Sequence, residues 1–151
     1  MAESKYDALA LRNQLCFPIY LCSKEIIRKY TPLLKRINLT YTQYIVMMYF
    51  WEKQKSNVKE ISRTLMLDSS TLTPLLKKLE SKGFITRARS AVDERNLDIV
   101  ITKKGMKLRD KALPIPGEMG RCLNLSAEEV MMFHKLVNKV LINIQKEDDY
   151  V

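Results

Sequence analysis

The stretch VKEISRTLMLDSSTLTPLLKKLESKGFITRARSAVDERNLDIVIT, residues 58–102, decides the fold. Val58 to Leu65 sets Ile61 and Leu65 one turn apart, the spacing of a single helix face. A four-residue turn, Met66 to Ser69, leads into a second helix from about Ser70 to Lys82. Its Leu72, Leu75, Leu76 and Leu79 recur at the 3.6-residue period. Gly83 follows the last periodic residue, where helices are often capped. Two short strands come next, Phe84 to Arg89 and Leu97 to Thr102. In the second, Leu97, Ile99 and Ile101 alternate with Asp98 and Val100. Between them lies a polar hairpin tip, Ser90 to Asn96, with Asp93, Glu94 and Arg95. A short helix, a tight turn, a second helix and a charged hairpin predict a winged helix-turn-helix.

Outward from this segment the chain reads as helix. Residues 7–36 carry Leu11, Leu15, Ile19, Cys22 and Ile26 on one face, a long helix or a kinked pair. Pro18 falls inside that run, removes an amide hydrogen and crowds the carbonyl of Gln14, so a kink is expected there; Pro32 marks a second bend. Thr42 is placed to cap a helix to about Lys53, with Ile45, Met48, Tyr49 and Trp51 inward. On the other side, Lys103 to about Leu113 is helical until Pro114 and Pro116. Ser126 and Glu129 form a capping box, with Leu125 and Val130 as its staple. Val130, Phe133, Val137, Val140, Leu141 and Ile144 then make an apolar stripe longer than one winged helix needs. The expected fold is mainly α with a small β-hairpin wing. Residues 42–103 form the winged helix-turn-helix, and 1–41 with 104–151 the helical dimerisation region, in a single compact domain.

Composition narrows the class. The 151 residues are 46% apolar and 28% charged, globular proportions for one domain. No apolar run approaches the ~18 residues of a membrane helix, and the N-terminus MAESKYDALALRNQLC lacks a secretory core. A cytoplasmic protein with thiol cysteines is expected. The net charge is +9, and the excess is densest in residues 53–95, at +5. A localised basic surface of this kind points to an anion, above all nucleic acid.

The second helix of the pair supplies the reading surface. Its outer side shows Ser69, Ser70, Thr71, Thr73, Pro74, Lys77 and Lys78. Small hydroxyls at the N-terminal end let a helix sit deep in the ~12 Å major groove, and lysines hold backbone phosphates or reach guanine. Pro74 costs one internal hydrogen bond if it lies past the first turn. On the wing, Arg95 suits a narrow A·T-rich minor groove; Asp93 orients it, and Arg87 and Arg89 flank the phosphates. The expected partner is a palindromic double-stranded operator bound by a homodimer.

Residues 67–105, from LDSSTLTPLLKKLE through the wing to TKKG, resemble the recognition helix and wing of the MarR-type family of bacterial repressors. NQLCFPIY at 13–20, KYTPLLKRINLTYTQY at 29–44 and LDSSTLTPLLKKLE at 67–80 are similar to its organic-hydroperoxide-sensing branch. The resemblance implies a cytoplasmic homodimeric repressor, a triangular helical dimer carrying two winged helices. It places a redox-sensing cysteine at Cys16, supported by tyrosines of the partner subunit at the positions of Tyr30 and Tyr41, with Tyr20 nearby in sequence. It also implies capture of the oxidised sulfur by a second thiol: Cys122 across the dimer, as in two-cysteine members, or a small cellular thiol. The family commonly has an apolar residue where Pro18 stands.

A thiol reacts as its thiolate, favoured near a helix N-terminus or by hydrogen-bond donors. With the first helix starting near residue 7, Cys16 would lie well inside it and depend on the phenols. Its neighbours Leu15, Phe17 and Ile19 suit an organic peroxide. Cys22 lies ~9 Å farther along the helix, beyond disulfide reach, and is read as core. One rival is a repressor released by a small phenolic or apolar ligand, with Cys16 incidental. Another is a thiol peroxidase, but the one histidine, His134, falls on the C-terminal helix away from any cysteine in sequence. No metal cluster, phosphate loop or cofactor motif is read, so no enzyme and no cofactor are expected.

Overall fold

A computed structural model describes residues 5–89 and 97–148. Two 3-10 turns, Asp7–Leu9 and Leu11–Asn13, precede the first helix, α1, Cys16–Lys35. This corrects the expected run over 7–36. Pro18 is the third residue of α1, where its missing amide hydrogen has no helical partner to lose. Upstream, a continuous helix would need that hydrogen on the Gln14 carbonyl. Pro18 therefore starts the helix and does not kink it. Helix α1 runs on through Pro32 to Lys35.

Helix α2, Tyr41–Lys53, is capped by Thr40 and not by Thr42. Thr40 and Gln43 make a reciprocal box: the Gln43 amide donates to Thr40 Oγ1 at 3.4 Å and the Thr40 amide to Gln43 Oε1 at 3.2 Å. The helix buries Tyr44, Val46, Met47, Tyr49 and Phe50; Met48, expected inward, is exposed. Leu34, Phe50, Ile61, Leu72 and Leu76 are close to fully buried and form the centre of the core.

Helix α3, Val58–Leu65, and helix α4, Ser69–Ser81, are the helix-turn-helix pair. Asn57 caps α3, and Met66 ends it in the left-handed region at φ 52°. Helix α4 closes in a Schellman motif on Gly83, φ 75°, with the Phe84 amide donating to Leu79 O at 3.0 Å and the Gly83 amide to Glu80 O at 2.8 Å. Three antiparallel strands follow the order β1-β3-β2: β1 Lys55–Asn57, β2 Ile85–Arg89 and β3 Leu97–Ile101. Ile85 faces Ile101 and Arg89 faces Leu97 across the wing, while Ser56 faces Ile99 on the other edge. Strand β1 has no apolar alternation to announce it; pairing with β3 makes it a strand. Buried Ser56 bonds Tyr49 Oη and Glu60 Oε2, each at 2.8 Å, joining α2, β1 and α3.

Helix α5, Lys103–Ala112, is capped by Thr102 and pinned by Trp51, whose Nε1 donates to Gly105 O at 2.9 Å. The residues through Ile115 make one compact unit and those from Pro116 a second. A helix not foreseen in the sequence, α6, spans Ile115–Leu123; Pro116 sits in its first turn, where proline is tolerated. Helix α7, Ala127–Asp148, begins at the foreseen capping box, with the Ser126 amide on Glu129 Oε2 at 2.8 Å and the Glu129 amide on Ser126 Oγ at 3.2 Å. Its stripe of Val130, Phe133, Val137, Val140, Leu141 and Ile144 is exposed in the single chain. No helix among the described residues is long and apolar enough to cross a membrane.

Candidate nucleic-acid interface and thiol region

The outer face of α4 is built from its cap. Asp68 accepts the Thr71 amide at 2.8 Å and the Thr71 hydroxyl at 3.2 Å, and also takes the Ser70 hydroxyl. The Ser70 hydroxyl first, then the Thr71 amide, hold the Asp68 carboxyl below the usual carboxylate range. Ser69, Ser70, Thr71, Thr73, Pro74, Lys77 and Lys78 are all exposed, while Leu72, Leu75, Leu76 and Leu79 are buried beneath them. Pro74 is past the first turn, so the Ser70 carbonyl has no helical donor.

Helix α3 adds two cations that the sequence reading passed over. Lys59 and Arg63 are exposed, one turn apart and away from buried Ile61. Their i, i+4 spacing was the available signal.

Arg87, expected at the phosphates, is held by α4. Its Nε donates to Glu80 Oε2 at 2.8 Å, its amide to Glu80 Oε1 at 3.0 Å, and its guanidinium lies 2.6 Å from the same carboxylate. This pair fixes the root of the wing to the recognition helix. Arg89 ends β2 opposite Leu97. Asp93 and Arg95 lie outside the described residues. The Arg87 guanidinium holds the Glu80 carboxyl below its ordinary 4.5. The folded value is the lower one, so the bond stabilises above pH 4.5 and is lost as pH falls through the folded value. Glu80→Gln should therefore lower the urea midpoint at neutral pH, the gap to wild type closing in acid. Equal midpoints at neutral pH would show that the pair adds nothing.

The thiol region divides in two. Cys16 is the first residue of α1 and exposed, with Tyr20 one turn on, its ring 5.3 Å from Lys24 Nζ. At the other end of α1, the Tyr30 ring packs 4.9 Å from Tyr41 and 5.9 Å from Tyr44. Burial first, then neighbouring phenols, pushes the Tyr30 and Tyr44 hydroxyls up. Tyr44 was missed; its place three residues after Tyr41 puts it on the same helix face. Cys16 and Tyr30 are separated by roughly 21 Å of helix, so one chain brings the tyrosines together but leaves the thiol apart. Cys22, expected in the core, is exposed, because the face it shares with Ile19 is uncovered in the single chain. Cys122 is exposed near the end of α6. His134 has Asn138 as a partner, 3.2 Å from its Nε2. Among the described residues no cluster of His, Cys, Asp or Glu could hold a metal.

The family model for SarA/Rot transcriptional regulators matches residues 28–112. The chain belongs to the SarA/Rot family. It is 39% identical over 146 residues to the organic hydroperoxide resistance transcriptional regulator of Bacillus subtilis, spanning 97% of this chain and 99% of that protein. It is 43% identical over 140 residues to the regulator SarZ of Staphylococcus haemolyticus, spanning 93% of each. The crystal structure of AbfR of Staphylococcus epidermidis is 33% identical, with a TM-score of 0.75 over 93% of this chain and 98% of that one; reduced AbfR bound to DNA gives 0.76. The MarR-type winged helix read from residues 67–105 thus holds for this SarA/Rot regulator. The family match takes in the helix-turn-helix and the tyrosine cluster but neither Cys16 nor Cys122; the full-length likeness to the Bacillus regulator reaches beyond it on both sides.

Proposed function

We propose that this regulator is a homodimeric repressor that binds a palindromic operator and is released when an organic hydroperoxide oxidises Cys16. One observation carries the thiol reading. An exposed first-turn cysteine and a cluster of half-buried phenols occupy opposite ends of the same helix. An antiparallel second copy of α1 would set each thiol against the other chain's Tyr30 and Tyr41. The exposed stripe of α7 gives such a copy an apolar surface to cover. A relative named for organic hydroperoxide resistance and a DNA-bound reduced neighbour support the same reading.

At the DNA, Ser69, Ser70, Thr71 and Thr73 enter the major groove. Lys77 and Lys78, with Lys59 and Arg63 of α3, hold phosphates. Arg87 keeps the wing at its angle, and Arg89, Asp93 and Arg95 belong to the wing's approach to the minor groove. At the thiol, Cys16 stands exposed in the first turn of α1, open to a peroxide. The thiolate attacks one peroxide oxygen, the O–O bond breaks, and the alkoxide leaves as the alcohol after taking a proton. A second thiol, Cys122 of the other copy or a small cellular thiol, then displaces water from the sulfenic acid to form a disulfide. Rearranged tyrosine contacts shift the dimer helices and move the two winged helices off their half-site spacing. A tenfold loss of occupancy needs only ~1.4 kcal/mol of relative affinity.

The test is operator binding at fixed salt by reduced, cumene-hydroperoxide-treated and re-reduced protein, with Cys16→Ser alongside. The expected result is reversible release of wild type only. Release of both proteins, or of neither, overturns the thiol switch and favours a repressor emptied by a small apolar ligand.

A further inference from the structure

A cavity of about 640 Å³ opens where the α1–α2 turn meets α5 and the foot of the wing. Five cations line it: Arg36, Lys103, Lys104, Lys107 and Lys111. No carboxylate is among its lining residues. Its apolar wall is Ile37, Phe84 and Leu108, all buried. Lys103, Lys107 and Lys111 repeat every fourth residue, which stacks them on one side of α5. Lys104 leans the other way: its Nζ donates to Lys82 O at 2.6 Å and sits 5.2 Å from the Phe84 ring.

All five cations are exposed and ring a concavity with an apolar wall and no carboxylate in its lining, an arrangement that focuses positive potential and that a multiply charged anion relieves. The volume suits a small molecule. Duplex DNA is a poor fit, since a convex backbone cannot enter a cavity. Moreover, the cavity adjoins the C-terminal end of α4, about 20 Å of helix away from the hydroxyl-bearing end that reads DNA.

We propose that this cavity is a second effector site, independent of Cys16, that takes an organic phosphate with an aromatic or acyl body. The phosphate meets the lysine row of α5 and the body lies on Phe84 and Leu108. Two lining residues reach the C-cap of the recognition helix: Lys104 Nζ donates to Lys82 O, and Lys82 Nζ donates to Asn38 O at 2.7 Å, so an occupant acts on that helix through Lys82.

The probe is fluorescent 1-naphthyl phosphate, titrated into full-length protein that still binds operator. Wild type and Cys16→Ser should bind it saturably and alike. The double substitutions Lys107→Glu with Lys111→Glu, and Lys107→Gln with Lys111→Gln, should each weaken binding at least about tenfold while operator affinity without probe is kept. Uncharged 1-naphthol should bind at least about tenfold more weakly than the phosphate. The glutamine pair keeps the test decisive if the glutamate pair fails to fold. Absence of saturable binding by wild type, equal binding by the glutamine pair, or equal binding of naphthol overturns the proposal. So does loss of operator affinity in the glutamine pair without probe, which would make the row a DNA-backbone contact. Loss of the dimer in that pair would assign it to the contact between copies and overturn the proposal too.

Discussion

Gly105→Ala should lower the melting temperature by on the order of 10 °C. A Cβ at that position would meet Phe84 O at 2.2 Å, Ile101 Cγ1 at 2.8 Å and Phe84 C at 3.1 Å. Two of those atoms are main chain and cannot turn aside. They are also in use: Phe84 O accepts the Thr102 amide at 3.0 Å and the Thr102 hydroxyl at 3.2 Å, and Thr102 Oγ1 caps α5 through the Gly105 amide at 3.0 Å. Making room displaces α5 from β2, loosening the Trp51–Gly105 bond with them. Overpacking that moves backbone sits at the upper end of its usual range, about 3 kcal/mol, against a total stability of roughly 5–15 kcal/mol. Gly117 and Gly120 are the contrast. Each lies in α6 with nothing within 4 Å of an added Cβ, so alanine there should leave melting unchanged or raise it. Thermal denaturation of the three variants checks both arms. A Gly105→Ala protein melting within two or so degrees of wild type would show that the close approach relaxes at little cost.

The second large effect is at the DNA. Lys77→Ala with Lys78→Ala should weaken operator binding by on the order of a hundredfold near 0.15 M salt, because a dimer would lose four phosphate contacts. The slope of log K against log salt should become shallower by about 3–4 units. Both lysines are exposed on α4 and no described ion pair holds them, so their removal leaves the leucine core of the helix untouched. Fluorescence anisotropy of a labelled operator from low to moderate salt reads affinity and slope together. An unchanged slope would place these lysines off the backbone, whatever the affinity did.

The helix-turn-helix was legible because its signals are local. Leu72, Leu75, Leu76 and Leu79 declare one face of α4, Gly83 declares its end, and Ser126 with Glu129 declares the start of α7. The errors arose where a residue's meaning depends on neighbours the chain order does not show. Pro18 breaks a helix only if the helix has already begun; α1 begins two residues before it, so the proline does no damage. Thr42 looks like a cap until Thr40 and Gln43 are seen to close on each other. Lys55–Asn57 has no strand pattern of its own, and β3 supplies its partner. The pairing of Arg87 with Glu80, seven residues earlier, is likewise invisible in the chain order. Cys16 and the tyrosines were singled out only through resemblance: nothing in their spacing links the two ends of α1.

The Trp51–Gly105 hydrogen bond joins residues 54 positions apart, and Gln54 O accepts the Ile101 amide at 2.9 Å beside it. With the Glu80–Arg87 clasp, these bonds weld α2, α4, α5 and the wing into a stiff lever. A stiff lever converts a small turn at one end into a stride at the other. Tilting a 20 Å arm by about 10° sweeps its tip roughly 3.5 Å, close to the ~3.4 Å rise between neighbouring base pairs. A slight rotation of the whole piece would thus put the reading head one step out of phase with its sequence, without bending the recognition helix at all.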